Sequence, residues 1–226
     1  MKPLQDAGKL GPLLIQLPPG LKMNHKLLQE FFKVLPFGYK FACEFRHPSW
    51  WVNETWRLLK EFNIACVVVD EPLLPPDPIV TADFSFIRWH GRGKRPWYNY
   101  RYSIDELKPW VDKVKQISSQ VGEVYGYFNN HFHGYAVANC LQMLELLHFI
   151  TPSQLELKKR VLDFLNGKAP PPITLIDIET ASLNDLLMIF ADRHRLTRAG
   201  EIKDSEVSDL RVDDRGLYVK VREYII

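Results

Sequence analysis

Cysteine is scarce in this 226-residue chain and badly placed for cross-linking. Only Cys43, Cys66 and Cys140 occur, odd in number, far apart and without a Cys-x-x-Cys pair, which argues against a disulfide frame or a zinc knuckle. An excess of one charge is missing too. Lys and Arg number 29 against 27 Asp and Glu, a net charge of +2, so a nucleic-acid partner would have to find a local patch. No apolar run approaches the roughly 20 residues that cross a bilayer. The opening Met1-Lys2-Pro3-Leu4-Gln5-Asp6 lacks the apolar core of a signal peptide. The glycines match neither a P-loop nor a dinucleotide fingerprint, and apart from prolines there is no low-complexity tract and no long repeat. From these absences we expect a cytoplasmic protein in a reducing compartment, with no membrane partner. What is present is globular: 46% hydrophobic and 25% charged residues support a packed core, in one large domain or one plus a small appendage.

Residues 12–17 form a short apolar run ended by Pro18-Pro19-Gly20, and Asn24 opens a helical pattern through Leu27, Leu28, Phe31, Phe32 and Leu35. The unit recurs. Residues 40–46 predict a second strand closed by His47-Pro48, followed by a helix capped at Asn53 and faced by Trp56, Leu59 and Phe62. Residues 64–69, almost continuously apolar and β-branched, predict a central strand buried on both faces that stops at Asp70. A proline-rich connection over 71–78 leads to a strand over 84–90. Ser103 and Glu106 make a capping box for a helix through Leu107, Trp110, Val111, Val114 and Ile117. Residues 124–128 give a fifth strand, with helices over 134–149 and 152–165 beyond it. Strands linked mostly by helices indicate a parallel α/β architecture, either an open doubly wound sheet or part of a barrel. Pro170-Pro171-Pro172 reads as a linker. We therefore divide the chain into 1–168 and a small α+β appendage over 169–226, with a strand over 173–178, a helix capped by Ser182 and a hairpin turning at Asp213-Asp214-Arg215-Gly216.

Strand after strand ends in reaction-capable side chains: Gln16; Glu44, Arg46 and His47; Asp70; Arg88 and His90; Asn129 and Asn130. In parallel α/β folds such ends lie side by side and build ligand sites. Glu44 and Arg46, two apart, share a face, either as a structural ion pair or as ligand-facing groups. Trp50 or Trp51 would wall the site or sit in the core. Asp70 is a site carboxylate or a turn cap before Pro72. Period two places Arg88 and His90 together, and the amides of Asn129 and Asn130 both donate and accept. His131 and His133 are a weak metal pair. After Gly91, cations interleave with aromatics through Arg92, Lys94, Arg95, Trp97, Tyr98, Tyr100, Arg101 and Tyr102, a loop that would hold phosphate and stack a base or simply remain solvated.

Taken in order, Leu10-Gly11-Pro12-Leu13-Leu14-Ile15-Gln16-Leu17-Pro18-Pro19, Glu44-Phe45-Arg46-His47-Pro48-Ser49-Trp50, Thr81-Ala82-Asp83-Phe84, Arg88-Trp89-His90-Gly91, Tyr127-Phe128-Asn129-Asn130 and Gly134-Tyr135-Ala136 form a recognisable series. It resembles the YecE-like family, domain of unknown function 72, over about residues 7–150. The resemblance implies a TIM-barrel-like fold with its site at the carboxyl ends of the strands, and no settled reaction. It also implies a further N-terminal portion, roughly three strand–helix units of a (β/α)₈ barrel, that this chain does not carry. The expected fold is thus an incomplete TIM-barrel-like parallel sheet whose open edges are tolerated, covered by the C-terminal appendage, or met by a second chain or self-association.

On this reading the chain is a barrel-derived enzyme, or half-enzyme, acting on an anionic substrate such as a sugar phosphate or a nucleic-acid component. Glu44 is the general acid or base and His90 its proton-transfer partner, Arg46 and Arg88 clamp the anion, and Asn129 and Asn130 orient it. Gln16, His47 and Trp50 complete the substrate-binding set. A second version places a divalent metal on Glu44, Asp70 and His90 for phosphoester hydrolysis. Two other classes compete: nucleic-acid binding without catalysis, through the 92–102 loop and the cluster of Arg193, His194, Arg195 and Arg198, and an interaction subunit completed by a partner chain.

Overall fold

Hydrophobic periodicity and local caps set the elements. The structure, a computed structural model, describes residues 2–94 and 96–168, together with the backbone of 207–213, 216–221 and 224–225. After a short helix α1 (Lys2–Asp6) come β1 (Leu13–Gln16), α2 (His25–Lys33), β2 (Phe41–Glu44), α3 (Asn53–Glu61), β3 (Ala65–Asp70), β4 (Phe84–Trp89), α4 (Ile104–Ser118), β5 (Glu123–Phe128), α5 (Tyr135–Leu146) and α6 (Pro152–Leu165). The Asn24 side chain accepts from the Leu27 amide ahead of α2, and capping boxes at Ser103/Glu106 and Thr151/Gln154 open α4 and α6. Asn53, expected to cap α3, is its first residue instead, and Val52 takes the cap position with no side-chain bond. Between β3 and β4 the prolines prevent a helix. There the buried Thr81 hydroxyl donates to the Ile64 carbonyl and accepts from the Cys66 amide, both at 2.7 Å, pinning the connection to β3.

The sheet runs β1-β2-β3-β4-β5, with every neighbouring pair parallel. A doubly wound sheet reverses its strand order at a switch point. Here the order follows the chain without reversal, so the sheet curls in one direction as an incomplete TIM-barrel-like half-barrel.

The two faces of the curl carry different cores. Outward, Cys43, Phe45, Ile64 and Cys66 pack against Leu28 and Phe32 of α2 and Leu58 and Leu59 of α3, while Val68, Ile87 and Trp89 pack against Leu107, Trp110 and Ile117 of α4. Inward, Ala42, Ala65, Val67, Val69, Phe84 and Phe86 form a third cluster. Strand alternation keeps the sets apart, odd from even along each strand. On the two edge strands the inward face is open: Leu14 of β1 is 38% exposed and Tyr127 of β5 is 45% exposed.

The chain divides into two units, Met1–Pro172 and Ile173–Ile226. In the second, β6 (Val207–Asp213), β7 (Gly216–Val221) and β8 (Tyr224–Ile225) form an antiparallel sheet in chain order, and Asp213 pairs with Gly216. The linker prolines, the strand over 173–178, the helix capped by Ser182 and the Arg193, His194, Arg195 and Arg198 cluster lie outside the described residues. Among the described residues no helix is long and apolar enough to cross a membrane.

Candidate functional site

Inward positions at the carboxyl ends of the strands are occupied by Gln16 at the end of β1, Glu44 at the end of β2 and Arg46 two residues on, Glu71 just after β3, Arg88 on β4 and His90 just after it, and Asn129 just after β5. Their side chains make one bonded network. Arg88 Nη1 donates to Glu44 Oε2 at 2.6 Å and to Gln16 Oε1 at 2.9 Å. Arg46 Nη1 donates to Glu71, and Arg46 Nη2 lies 3.5 Å from Gln16 Oε1 and 3.4 Å from His90 Nε2. Arg46 Nε stands 2.6 Å from Glu44 Oε1, an ion pair without the alignment of a hydrogen bond. His90 Nε2 is 3.3 Å from Glu44 Oε1, and Asn129 Nδ2 is 3.0 Å from His90 Nδ1. With the Asn129 amide donating to Nδ1, a neutral imidazole carries its proton on Nε2 and offers it to Glu44.

Glu44 and His90 are wholly buried, while the Arg46 and Arg88 side chains are 12% and 14% exposed. Burial pushes the Glu44 carboxyl up, but the hydrogen bond with His90, the Arg46 charge and the hydrogen bond from Arg88 outweigh it and hold the group below the ordinary glutamate value. Glu71 comes out the other way. Burial raises it, the Arg46 charge only partly offsets this, and the neighbouring Glu44 charge adds to the rise. The two carboxylates beside Arg46 are thus shifted in opposite directions.

The structure therefore brings together six of the residues expected in the site, Gln16, Glu44, Arg46, Arg88, His90 and Asn129, and adds Glu71. Strand alternation was the available signal for Glu71: counting by two from Val67 and Val69 reaches 71. The same count corrects Asp70, which faces outward. Asp70 Oδ1 accepts from Arg92 Nε at 2.8 Å, and Oδ2 accepts from Arg92 Nη2 and Trp110 Nε1, each at 2.9 Å, so it ties the 91–102 loop to α4. With Asp70 turned away, the expected metal set of Glu44, Asp70 and His90 is not assembled. Among the described residues no group of three or more His, Cys, Asp or Glu side chains is placed to hold a metal ion.

His47, Trp50 and Asn130 also stay out of the network. His47 follows Cys43 and Phe45 in outward parity and accepts from the Ser49 amide at 3.1 Å, capping the 3-10 turn Pro48–Trp50. That turn carries the Trp50 ring back into the core beside Phe45, where its Nε1 donates to the Leu21 carbonyl at 2.9 Å; it is not an open stacking surface. Asn130 is buried and donates to the Tyr100 carbonyl and to Asn139 Oδ1, both at 2.8 Å. Asn139 in turn bonds both the amide and the carbonyl of Tyr102, so the two amides anchor the 91–102 loop to α5.

A singly wound parallel sheet with its polar residues bonded together at the carboxyl rim defines a TIM-barrel-like α/β protein with a rim site. The chain belongs to the family described as Protein of unknown function DUF72, whose model matches residues 1–160. It is 28% identical over 186 residues to the UPF0759 protein YunF of Bacillus subtilis (strain 168), covering 70% of this chain and 66% of that protein. Among solved structures it is similar to a DUF72 family protein of Thermotoga maritima MSB8, with 37% identity and a TM-score of 0.61, covering 65% of this chain and 61% of that one. A DUF72 family protein of Enterococcus faecalis V583 matches with 27% identity and a TM-score of 0.62, covering 67% of this chain and 63% of that one. The chain thus spans a little under two-thirds of the length of each of these relatives.

Proposed function

We propose that this chain carries the site of a barrel enzyme that holds the oxyanion of a phosphorylated sugar or nucleic-acid-derived substrate on its rim arginines and moves a proton beside it. The observation that supports this is the pair of carboxylates around Arg46, one depressed and one raised; environments that push neighbouring titratable groups apart assign acid and base roles. Glu71 is the proton carrier, His90 is the second proton-transfer group, and Glu44 is the fixed negative charge that orients both arginines and the imidazole. Among the described residues Arg88 meets its hydrogen-bond partners through Nη1 alone, so Nε and Nη2 serve a ligand in the fork geometry guanidinium offers to phosphate or carboxylate. The free thiols of Cys43, Cys66 and Cys140 support a cytoplasmic setting.

A thermal-shift series with phosphorylated sugars and nucleotides tests this reading. We expect at least one oxyanion ligand to raise the melting temperature of the wild-type protein, and Arg88→Met to lose that response. The reading fails if none does, or if the variant responds as the wild type does.

A second reading, an interaction subunit completed by another chain or a second copy, draws support from the open inward faces at Leu14 and Tyr127. Light scattering that finds a monomer with little dye-accessible apolar surface counts against it. The nucleic-acid reading loses ground, because Arg92 at the head of the cationic loop is already neutralised by Asp70.

A further inference from the structure

Arg46 is crowded. Its guanidinium faces Glu44, Glu71, Gln16 and His90 at once. Glu44 is also gripped by Arg88 and His90, so it cannot leave without breaking three contacts. Glu71 has Arg46 as its one side-chain hydrogen-bond partner among the described residues. Its carboxylate therefore sits, from within the chain, where the oxyanion of a ligand would pair with Arg46.

We propose that Glu71 is an internal stand-in for the ligand's oxyanion, displaced from Arg46 when a phosphate- or carboxylate-type ligand binds, and that this exchange takes up one proton from solvent at Glu71. The inference rests on the anion-site reading above. Charge balance is its physical basis. With Glu71 ionised, two arginines are matched by two carboxylates, and an entering anion adds unmatched negative charge to a rim from which water is largely excluded. Protonation of the displaced Glu71 leaves Arg46 and Arg88 facing Glu44 and the ligand.

The charged and titratable groups that face Glu71 are Glu44 and Arg46 from the carboxyl end of β2 and just beyond it, and His90 from just beyond β4. Gln16 and Asn129 complete the ring from the edge strands without charge, and Asp70 on the same strand points away. Burial already favours the protonated form of Glu71. Loss of the Arg46 contact and arrival of an anion move it further the same way, so the proton is taken up between the free and the bound titrations and affinity rises as pH falls.

The test is calorimetric titration of the full chain with inorganic sulfate, which keeps its charge across the range from about pH 5 to about pH 8. We expect wild-type affinity to strengthen toward acid by up to about tenfold per pH unit, the limit for one linked proton. Titrations in two buffers of different ionisation enthalpy should then report uptake of close to one proton, a measurement that needs no variant. Glu71→Gln should bind sulfate with nearly constant affinity, matching the acid limit of the wild type. Binding that depends on Arg88 but takes up no proton overturns this inference and leaves the anion site standing, as does a pH dependence that persists in Glu71→Gln and so belongs to His90. Absence of sulfate and phosphate binding by the wild type at every pH removes both.

Discussion

Asp70 and Glu71 are neighbours in the chain and stand on opposite faces of one sheet. Asp70 accepts from Arg92 and Trp110 behind β3, whereas Glu71 pairs with Arg46 in front of it. A single step along an extended backbone reverses the side-chain direction, so two adjacent acids have different work: one fastens a loop and a helix, the other belongs to the rim site.

Removing the outward acid should therefore loosen the molecule without touching the site. Asp70→Asn loses the fork-shaped pairing with Arg92, and we expect a stability loss of about 2 kcal/mol with anion affinity unchanged. Urea unfolding and sulfate titration of the same sample check both halves, and a variant that keeps its stability but no longer binds contradicts the assignment.

The buried Glu44 should make the fold acid-sensitive. Its carboxyl is depressed in the folded state, so its contribution is present above the unfolded value and is lost as pH falls through the folded one. Glu44→Gln leaves two arginines short of a counter-charge and should cost about 3–5 kcal/mol near neutrality. That deficit should shrink as pH falls below the ordinary glutamate range and through the depressed folded value, where the wild type protonates as well. Glu71, raised rather than depressed, contributes with the opposite sign: its ionised form weakens the fold as pH rises through its folded value. Denaturant titrations across the acid range read this out, and a deficit in Glu44→Gln independent of pH tells against it.

Gly91 admits no side chain. Its φ is +98°, and a Cβ there would stand 2.4 Å from the Trp97 carbonyl oxygen, a backbone atom that cannot swing aside. Gly91→Ala should lower stability by at least about 2 kcal/mol and speed proteolytic cleavage between 92 and 101. Wild-type resistance in that segment would show that the loop refolds around the methyl group.

Much of the fold was legible along the chain. All five strands of the first unit and its five longer helices form about where apolar spacing puts them, with the cap of α3 displaced from Asn53 to Val52, because those signals are local. Periodicity alone left the choice between a doubly wound sheet and a barrel open, since strand order is a relation between distant segments; the ordered motifs that resemble the family pointed to the barrel. In the site, Gln16, Glu44, Arg46, Arg88, His90 and Asn129 could be picked out as polar ends of apolar strands. Asp70 stands where the apolar run stops, but Glu71 shares the parity of Val67 and Val69, and parity rather than nearness to the strand end decides which side chain enters the rim. Trp50 and Asn130 were not readable in this way. Their partners, Leu21, Tyr100 and Asn139, lie in other elements and are brought near only by the folded chain.

The hydrogen bond between Gln16 and Arg88 joins the first strand to the fourth and skips the two between them. It spans the curl as a tie-rod spans an arch. The curvature of the sheet and the aim of the Arg88 guanidinium are then a single mechanical quantity: flattening the arch would draw Gln16 away and swing Arg88 out of line.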